Sequence, residues 1–549
     1  VNCTSHRLLR VAIPPLFSLC VASAAKAQVF DYAWPPNGAG GSFGASMSRI
    51  GDVDSDGAED LIIGEPNYGG LGNGLARIFS GKTHALIDEI AGNVGASLGV
   101  AVEGKIDLDN DGFPDVLVGA PDDSTGASDA GAVIAYSPHR HAAIYTLTSN
   151  VSLGQFGAAV RSLQNDIDGD GIDDFIVGLP GADTAEVYSG KTGTMLLFVQ
   201  GHSGDQFGTS VSRAGDVDGD GFVDFAVGSP QFVNSSGVTT GRVTVFSGKD
   251  GSVIRAINGA ADSRFGYALA NPGDLDGDGV GDLVVGAPRH LDGSGIETGC
   301  VTVLSGATGS VIYRVFGDQK HDTFGHSVRS ASGDIDNDGT VDFIVGAPQL
   351  TGSDVGYART ISGATGAVLF TFTEHTSDPL VKSDYGVAVA GGDFDGDGRT
   401  DVVVGGSHFN GGDGIAETWL TAVASWRNYG TGWAGTNGVP SFTPRTTPVV
   451  GKNLKIDLAD SASVATPAVL FLGFNTESLL TSKGGTLLVD PFLTLPLAVP
   501  PGGLVLSGTI PDDPALYGFL LYLQALEADA GASKGISFTR GLSLYFGNP

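Results

Sequence analysis

Cysteine is nearly absent from this chain. Only Cys3, Cys20 and Cys300 occur in 549 residues. The first two fall in a stretch expected to be removed, so no intrachain disulfide holds the mature chain together. Basic residues are also scarce: 29 Lys and Arg stand against 61 Asp and Glu, for a formal charge of −32. No basic run exists, which argues against a nucleic-acid partner. Long apolar runs are missing, so no segment beyond the N-terminal stretch is a candidate membrane span. Helical periodicity is missing as well, and 86 glycines oppose long helices.

The first residues read as a processing signal. Arg7 and Arg10 precede a short apolar stretch, Val11–Ala25, and Ala25-Lys26-Ala27 forms a small-x-small cleavage site before Gln28. Pro14-Pro15 breaks the stretch, which is too short for a membrane anchor, and Leu19 is too large for a lipid attachment pattern at Cys20. The mature protein is therefore expected to be secreted, extracellular or at a cell surface.

What the chain has in abundance is one acidic motif, DxDxDGxxD, written seven times with starts 55, 59, 50, 58, 60 and 59 residues apart. The first copy holds Asp52, Asp54, Asp56, Ala58 and Asp60, and the second Asp107, Asp109, Asp111, Phe113 and Asp115. The third holds Asp166, Asp168, Asp170, Ile172 and Asp174, and the fourth Asp216, Asp218, Asp220, Phe222 and Asp224. Asp274, Asp276, Asp278, Val280 and Asp282 form the fifth, and Asp334, Asp336, Asp338, Thr340 and Asp342 the sixth. Asp393, Asp395, Asp397, Arg399 and Asp401 complete the set. These loops contribute 28 carboxylates, so most of the acidity is ligand inventory.

Calcium is a hard ion that takes six to eight oxygens. Carboxylates at loop positions 1, 3 and 5 converge only if the backbone turns sharply, and Gly at position 6 (Gly57 in the first copy) permits that turn. Position 7 offers its carbonyl whatever its side chain, and position 9 is Asp in every copy. Up to seven Ca²⁺ ions are expected. An EF-hand is excluded because it needs a bidentate Glu at position 12, where Ile63, Val118, Val177, Val227, Val285, Val345 and Val404 stand. A catalytic acid pair would occur once, not seven times. Transition metals would want imidazole or thiolate, which the loops lack.

Each repeat reads as four strand-like stretches, with SG-x-x-G turns at Ser189–Gly193, Ser247–Gly251, Ser305–Gly309 and Ser362–Gly366. One sheet per repeat cannot bury both faces alone, so neighbours must stack, and seven units suit a closed β-propeller rather than an open solenoid. The seventh repeat lacks an obvious fourth strand, and Val29–Trp34 has no partner in the first, so that segment is expected to complete blade seven. The expected division is a signal peptide (1–27), a propeller (28–427, with 29–34 closing blade seven), a linker (428–438) and a small β-sandwich-like domain (439–549). The fold class is all-β throughout. Trp34, Trp419, Trp426 and Trp433 lie near the seam and the junction, open to two readings: packing or an aromatic sugar platform.

These repeats resemble the FG-GAP repeat of integrin α-subunit propellers and of bacterial secreted proteins. The marks are Phe43-Gly44, Phe156-Gly157, Phe207-Gly208, Phe265-Gly266 and Phe324-Gly325, with Leu98-Gly99 and Tyr385-Gly386 as variants. A closing Gly-x-Pro follows six of the loops, from Gly64–Pro66 to Gly346–Pro348, whereas the seventh reads Gly405-Gly406-Ser407. The resemblance implies Ca²⁺ between the first two strands of each blade, and a role in adhesion or recognition of an extracellular protein or glycan. An integrin-like partner subunit is not implied, because no inserted adhesion domain fits the spacings. No catalytic residue is expected: the histidines show no metal or triad spacing, and Cys300 occupies a tolerant packing column. The alternatives are a carbohydrate-binding propeller and, after it, the accessory or catalytic propeller of a secreted lyase or hydrolase.

Overall fold

The computed structural model describes residues 10–12, 28–34, 36, 40–336, 338–349, 355–375, 383–408, 412–421, 425–481, 485–511 and 520–546. Its secondary structure is β throughout these residues. The chain divides into two compact units, Phe30–Leu420 and Thr421–Pro549 with Val1–Val29. Among the described residues no helix is long and apolar enough to cross a membrane.

The larger unit consists of seven four-stranded antiparallel sheets. Blade four is representative, running Ser210–Gly215, Asp224–Ser229, Arg242–Phe246 and Val253–Asn258 in spatial as well as chain order. Its second strand is buried along its whole length, and its fourth alternates between exposed and half-buried. That gradient is what a radial stack produces, since inner strands have sheets on both faces and outer strands face water. The innermost strands of all seven blades line one axial channel, so the stack closes into a ring.

Blade seven is assembled from both ends of the unit. Gln28–Trp34 lies outside Ile415–Thr421, which pairs with Asp401–Gly406 and then Ala388–Gly392. The indole N–H of Trp34 donates to Thr418 Oγ1 at 2.8 Å. Tyr32 stacks on His84 of blade one, whose ring contacts Asp31 Oδ2 at 2.9 Å. Phe30 stacks on His375 on the other side. Both Trp34 and Trp419 are 1% exposed, which makes them seam packing and removes them as a sugar platform.

The FG and GAP signatures meet across every blade boundary. A Cβ placed on Gly64 would lie 2.0 Å from Gly99 O of the next blade, and Gly228 stands likewise 2.0 Å from Gly266 O. The same approach closes the ring, with Gly405 at 2.2 Å from Gly44 O. Only glycine allows backbones this near, and Gly44, Gly99 and Gly266 also have positive φ. Repeat seven has lost the proline of the motif but kept the glycine that the contact requires.

The smaller unit packs two sheets over a shared core that includes Leu454, Ile456 and Leu458, with Leu470, Leu506, Leu523 and Leu544. One sheet orders Phe442–Pro444, Asn453–Leu458, Leu504–Thr509 and, in parallel, Arg10–Ala12. The other orders Ser425–Tyr429, Gly541–Tyr545, Leu520–Ala528, Thr466–Gly473 and Leu493–Val499. Part of the stretch read as a linker is therefore sheet, because Tyr429 pairs with Gly541.

Candidate metal centres of the ring

Each acidic loop joins the first and second strands of its blade, at the same end as the turn between the third and fourth. In the first five loops the carboxylates of positions 1, 3 and 9 offer oxygens within 4.8 Å of one another: Asp52, Asp54 and Asp60 in blade one, and Asp107, Asp109 and Asp115 in blade two. The corresponding trios are Asp166, Asp168 and Asp174, then Asp216, Asp218 and Asp224, then Asp274, Asp276 and Asp282.

The loop backbone organises these groups. In blade one, Asp52 accepts the N–H groups of Asp56 at 3.0 Å and Gly57 at 3.0 Å. The fifth-position carboxylate is committed differently: Asp56 Oδ1 caps the Ala58 N–H, and Oδ2 accepts the Ser80 hydroxyl at 3.0 Å. Asp170 and Ser189, and Asp338 and Ser362, repeat that link. The Ser of the distal turn thus belongs to the site, a role that spacing alone did not show.

Position 9 is a fully buried residue that ties the loop to the blade. Asp60 accepts the Val53 N–H at 2.7 Å with one oxygen and the Gly81 N–H at 3.1 Å with the other. Asp174, Asp224, Asp282 and Asp342 make the same pair of bonds, the last to Ile335 and Gly363. Burial pushes the Asp60 carboxyl up to about 7, with the nearby Asp54 charge adding to the rise and the two N–H donors opposing it. Burial does the same to Asp115 and Asp342, up to about 7, and to Asp174 and Asp224, up to about 6. A buried carboxylate beside two others is costly unless a positive charge meets it.

The donor set fits a divalent cation of the oxygen-loving kind. Each trio presents carboxylate oxygen alone, and in the seventh loop the buried Asp393 Oδ1 has no hydrogen-bond partner. Imidazole and thiolate are absent from these trios, which disfavours the softer metals.

Loop two departs from its sisters. Its distal turn reads Ser137-Pro138 where blades one and three have Ser-Gly, and proline has no N–H to give. Asp115 consequently keeps the Leu108 N–H at 2.8 Å while its other oxygen receives no backbone N–H from the distal turn. Arg140 from the same turn reaches into the loop, 2.7 Å from Asp109 Oδ2 and 3.1 Å from Asp111 Oδ2. His139 stacks face to face on Phe113, and His141 contacts Asp88 at 2.9 Å. The two histidines thus have structural partners and converge on no common point.

Comparison with known proteins agrees with this geometry. The FG-GAP repeat family matches residues 104–136, 207–246 and 265–296. The ring carries FG-GAP repeats. Integrin alpha-V of Gallus gallus is 35% identical over 202 residues, 33% of this chain and 19% of that protein. Integrin alpha-PS5 of Drosophila melanogaster is 37% identical over 97 residues, and human integrin alpha-IIb 31% over 86. Those two matches cover 9% and 8% of the respective relatives, so the chain shares a segment with these proteins and not their full length. In its repeats the chain is similar to integrin α subunits.

Proposed function

We propose that this FG-GAP chain is a secreted, calcium-stabilised propeller that acts outside the cell as an adhesion or ligand-recognition scaffold. The observation that carries this reading is the polarity of the ring. One end of every blade holds an acidic loop of fixed design, while the connections at the other end differ from blade to blade. Blade three turns within a few residues, whereas blades four and five extend small hairpins bridged at Val233–Thr239 and Leu291–Glu297. Exposed aliphatic side chains collect in these connections: Leu71, Leu153, Val233, Val238, Leu291 and Ile296 are each at least 37% exposed. A constant face that fixes the frame and a variable face with apolar tips suit recognition.

The loops of all seven copies would hold Ca²⁺ through the carboxylates at positions 1, 3, 5 and 9 and the carbonyl at position 7. Bound calcium supplies the positive charge that the buried ninth-position Asp needs. A non-enzymatic role is supported by Cys300, which is fully buried with its thiol pushed by burial up to about 12, far from a reactive thiolate.

The test is binding of the labelled protein to its native surface in calcium and in excess chelator. A variant with residues 231–241 and 289–299 cut back to the short turn of blade three serves as the comparison. Recognition requires binding that falls both on chelation and on loop shortening. Equal binding by the shortened variant would sink the proposal, and a glycan array separates a sugar from a protein ligand.

A further inference from the structure

Positive charge is rare in this chain, yet four arginines gather at one level of the axial channel. Arg49, Arg161, Arg213 and Arg329 come from the innermost strands of blades one, three, four and six. They surround a cavity of about 110 Å³, next to a wider mouth of about 220 Å³ lined by residues such as Ala158, Val211 and Val389. On the scale where one water needs about 10–15 Å³, the inner space has room for several waters, and so for a tetrahedral oxyanion that keeps part of its hydration.

The local charges do not balance. Glu103 Oε2 receives Arg161 at 2.6 Å and Arg329 at 3.2 Å. Glu59 takes Arg49 at 3.3 Å and Lys105 at 2.9 Å. Arg213 has only an amide partner, donating to Gln164 Oε1. Four guanidinium groups of the cavity lining thus meet one lining carboxylate, Glu103, while Glu59 and Lys105 stand outside the lining. Burial lowers the Arg213 pKa, with the Glu103 charge opposing the fall and the Arg49 charge adding to it.

We infer that the axial channel is a binding site for a small multivalent oxyanion of the sulfate or phosphate type, held by Arg213 and Arg49 with Arg161 and Arg329 completing the ring of donors. Guanidinium groups match such oxygens in pairs. Strands of blades one, three, four and six supply the donors, so the anion would add to the cross-channel link that Arg329 already makes to Glu103 and the Met47 carbonyl.

The experiment uses the whole chain saturated with calcium, titrated with sodium sulfate against sodium chloride at matched ionic strength, with melting temperature and calorimetry as readouts. Sulfate should bind saturably at one site and raise the melting temperature beyond the chloride control. Arg213→Gln should weaken the site about tenfold or more. Glu103→Gln should tighten it several-fold, because the carboxylate that competes for Arg161 and Arg329 is gone. Equal stabilisation by chloride, or a sulfate midpoint that neither variant moves, overturns the inference. Should Arg213→Gln fail to fold, Glu103→Gln decides alone, an unchanged or weakened midpoint counting against the site.

Discussion

Arg140→Gln should turn loop two into a tighter calcium site. In the structure the guanidinium sits 2.7 Å from Asp109 and 3.1 Å from Asp111, so an incoming cation competes with a tethered one. Two unit charges at about 4 Å attract by about 4 kcal/mol at an effective dielectric of about 20. The Arg140 side chain is 50% exposed, and solvent screening with side-chain entropy leaves about 1–2 kcal/mol of that. At about 1.4 kcal/mol per decade, loop two then binds calcium about five- to thirty-fold more weakly than it would without the arginine. Equilibrium dialysis with radioactive calcium measures the distribution of site affinities. Arg140→Gln should move one site into the tighter group and leave the others in place. In excess chelator the same variant should melt lower than the parent, having lost the internal cation. A weakest site that keeps its affinity, or chelated parent and variant that melt together, would refute a competing role for Arg140.

Chelation of the parent protein should lower its melting temperature by many degrees, since each loop packs like charges around a buried Asp, and an unchanged melt in excess EGTA would contradict the metal assignment. Gly228→Ala should cost about 2–4 kcal/mol, because the new Cβ meets the Gly266 carbonyl, whereas Gly70→Ala, in open space, should change stability by less than about 0.5 kcal/mol; chemical denaturation in calcium compares them. His326, half-buried at the channel mouth with Nε2 3.2 Å from the Tyr267 hydroxyl, has its pKa lowered by burial from 6.5 to about 4. The fold therefore prefers the neutral ring, and its contribution is full above about pH 6.5 and lost as the pH falls toward 4. With calcium saturating, His326→Phe should remove about 1 kcal/mol of the stability difference between pH 7.5 and pH 5, after discounting for partial exposure; equal pH slopes for parent and variant would refute this.

The repeats are legible in the sequence because their signals are periodic and chemically narrow. Seven copies of one acidic pattern at nearly constant spacing leave little freedom in reading strand order, and the FG and GAP glycines mark the contact that fixes blade to blade. Loop two looks equivalent to the others when the aspartates alone are compared. Its difference lies about 25 residues downstream in Pro138 and Arg140, which only the folded blade brings to the loop. The arginine layer is hidden for another reason. Bulges shift the innermost strands, so Arg49 and Arg213 stand three residues before their loops and Arg161 and Arg329 five. Counted from the FG glycine the four positions nearly align. In the smaller unit, Leu493–Val499 escapes a reading of strand patterns because Pro496 interrupts it. The strand lies at the edge of its sheet, where a missing N–H costs no ladder bond.

The strand borrowed for blade seven has a kinetic meaning. Trp34 and Thr418, joined by one hydrogen bond, are 384 residues apart in the chain. Such a contact is among the slowest to form, since the intervening blades must be in place before the two ends meet. The ring is then a clasp that fastens last and whose opening is the natural first step of unfolding. Moving 28–34 to follow Thr421 would turn the clasp into a local hairpin, and comparing the refolding rate of that permutant with the parent would time the fastening.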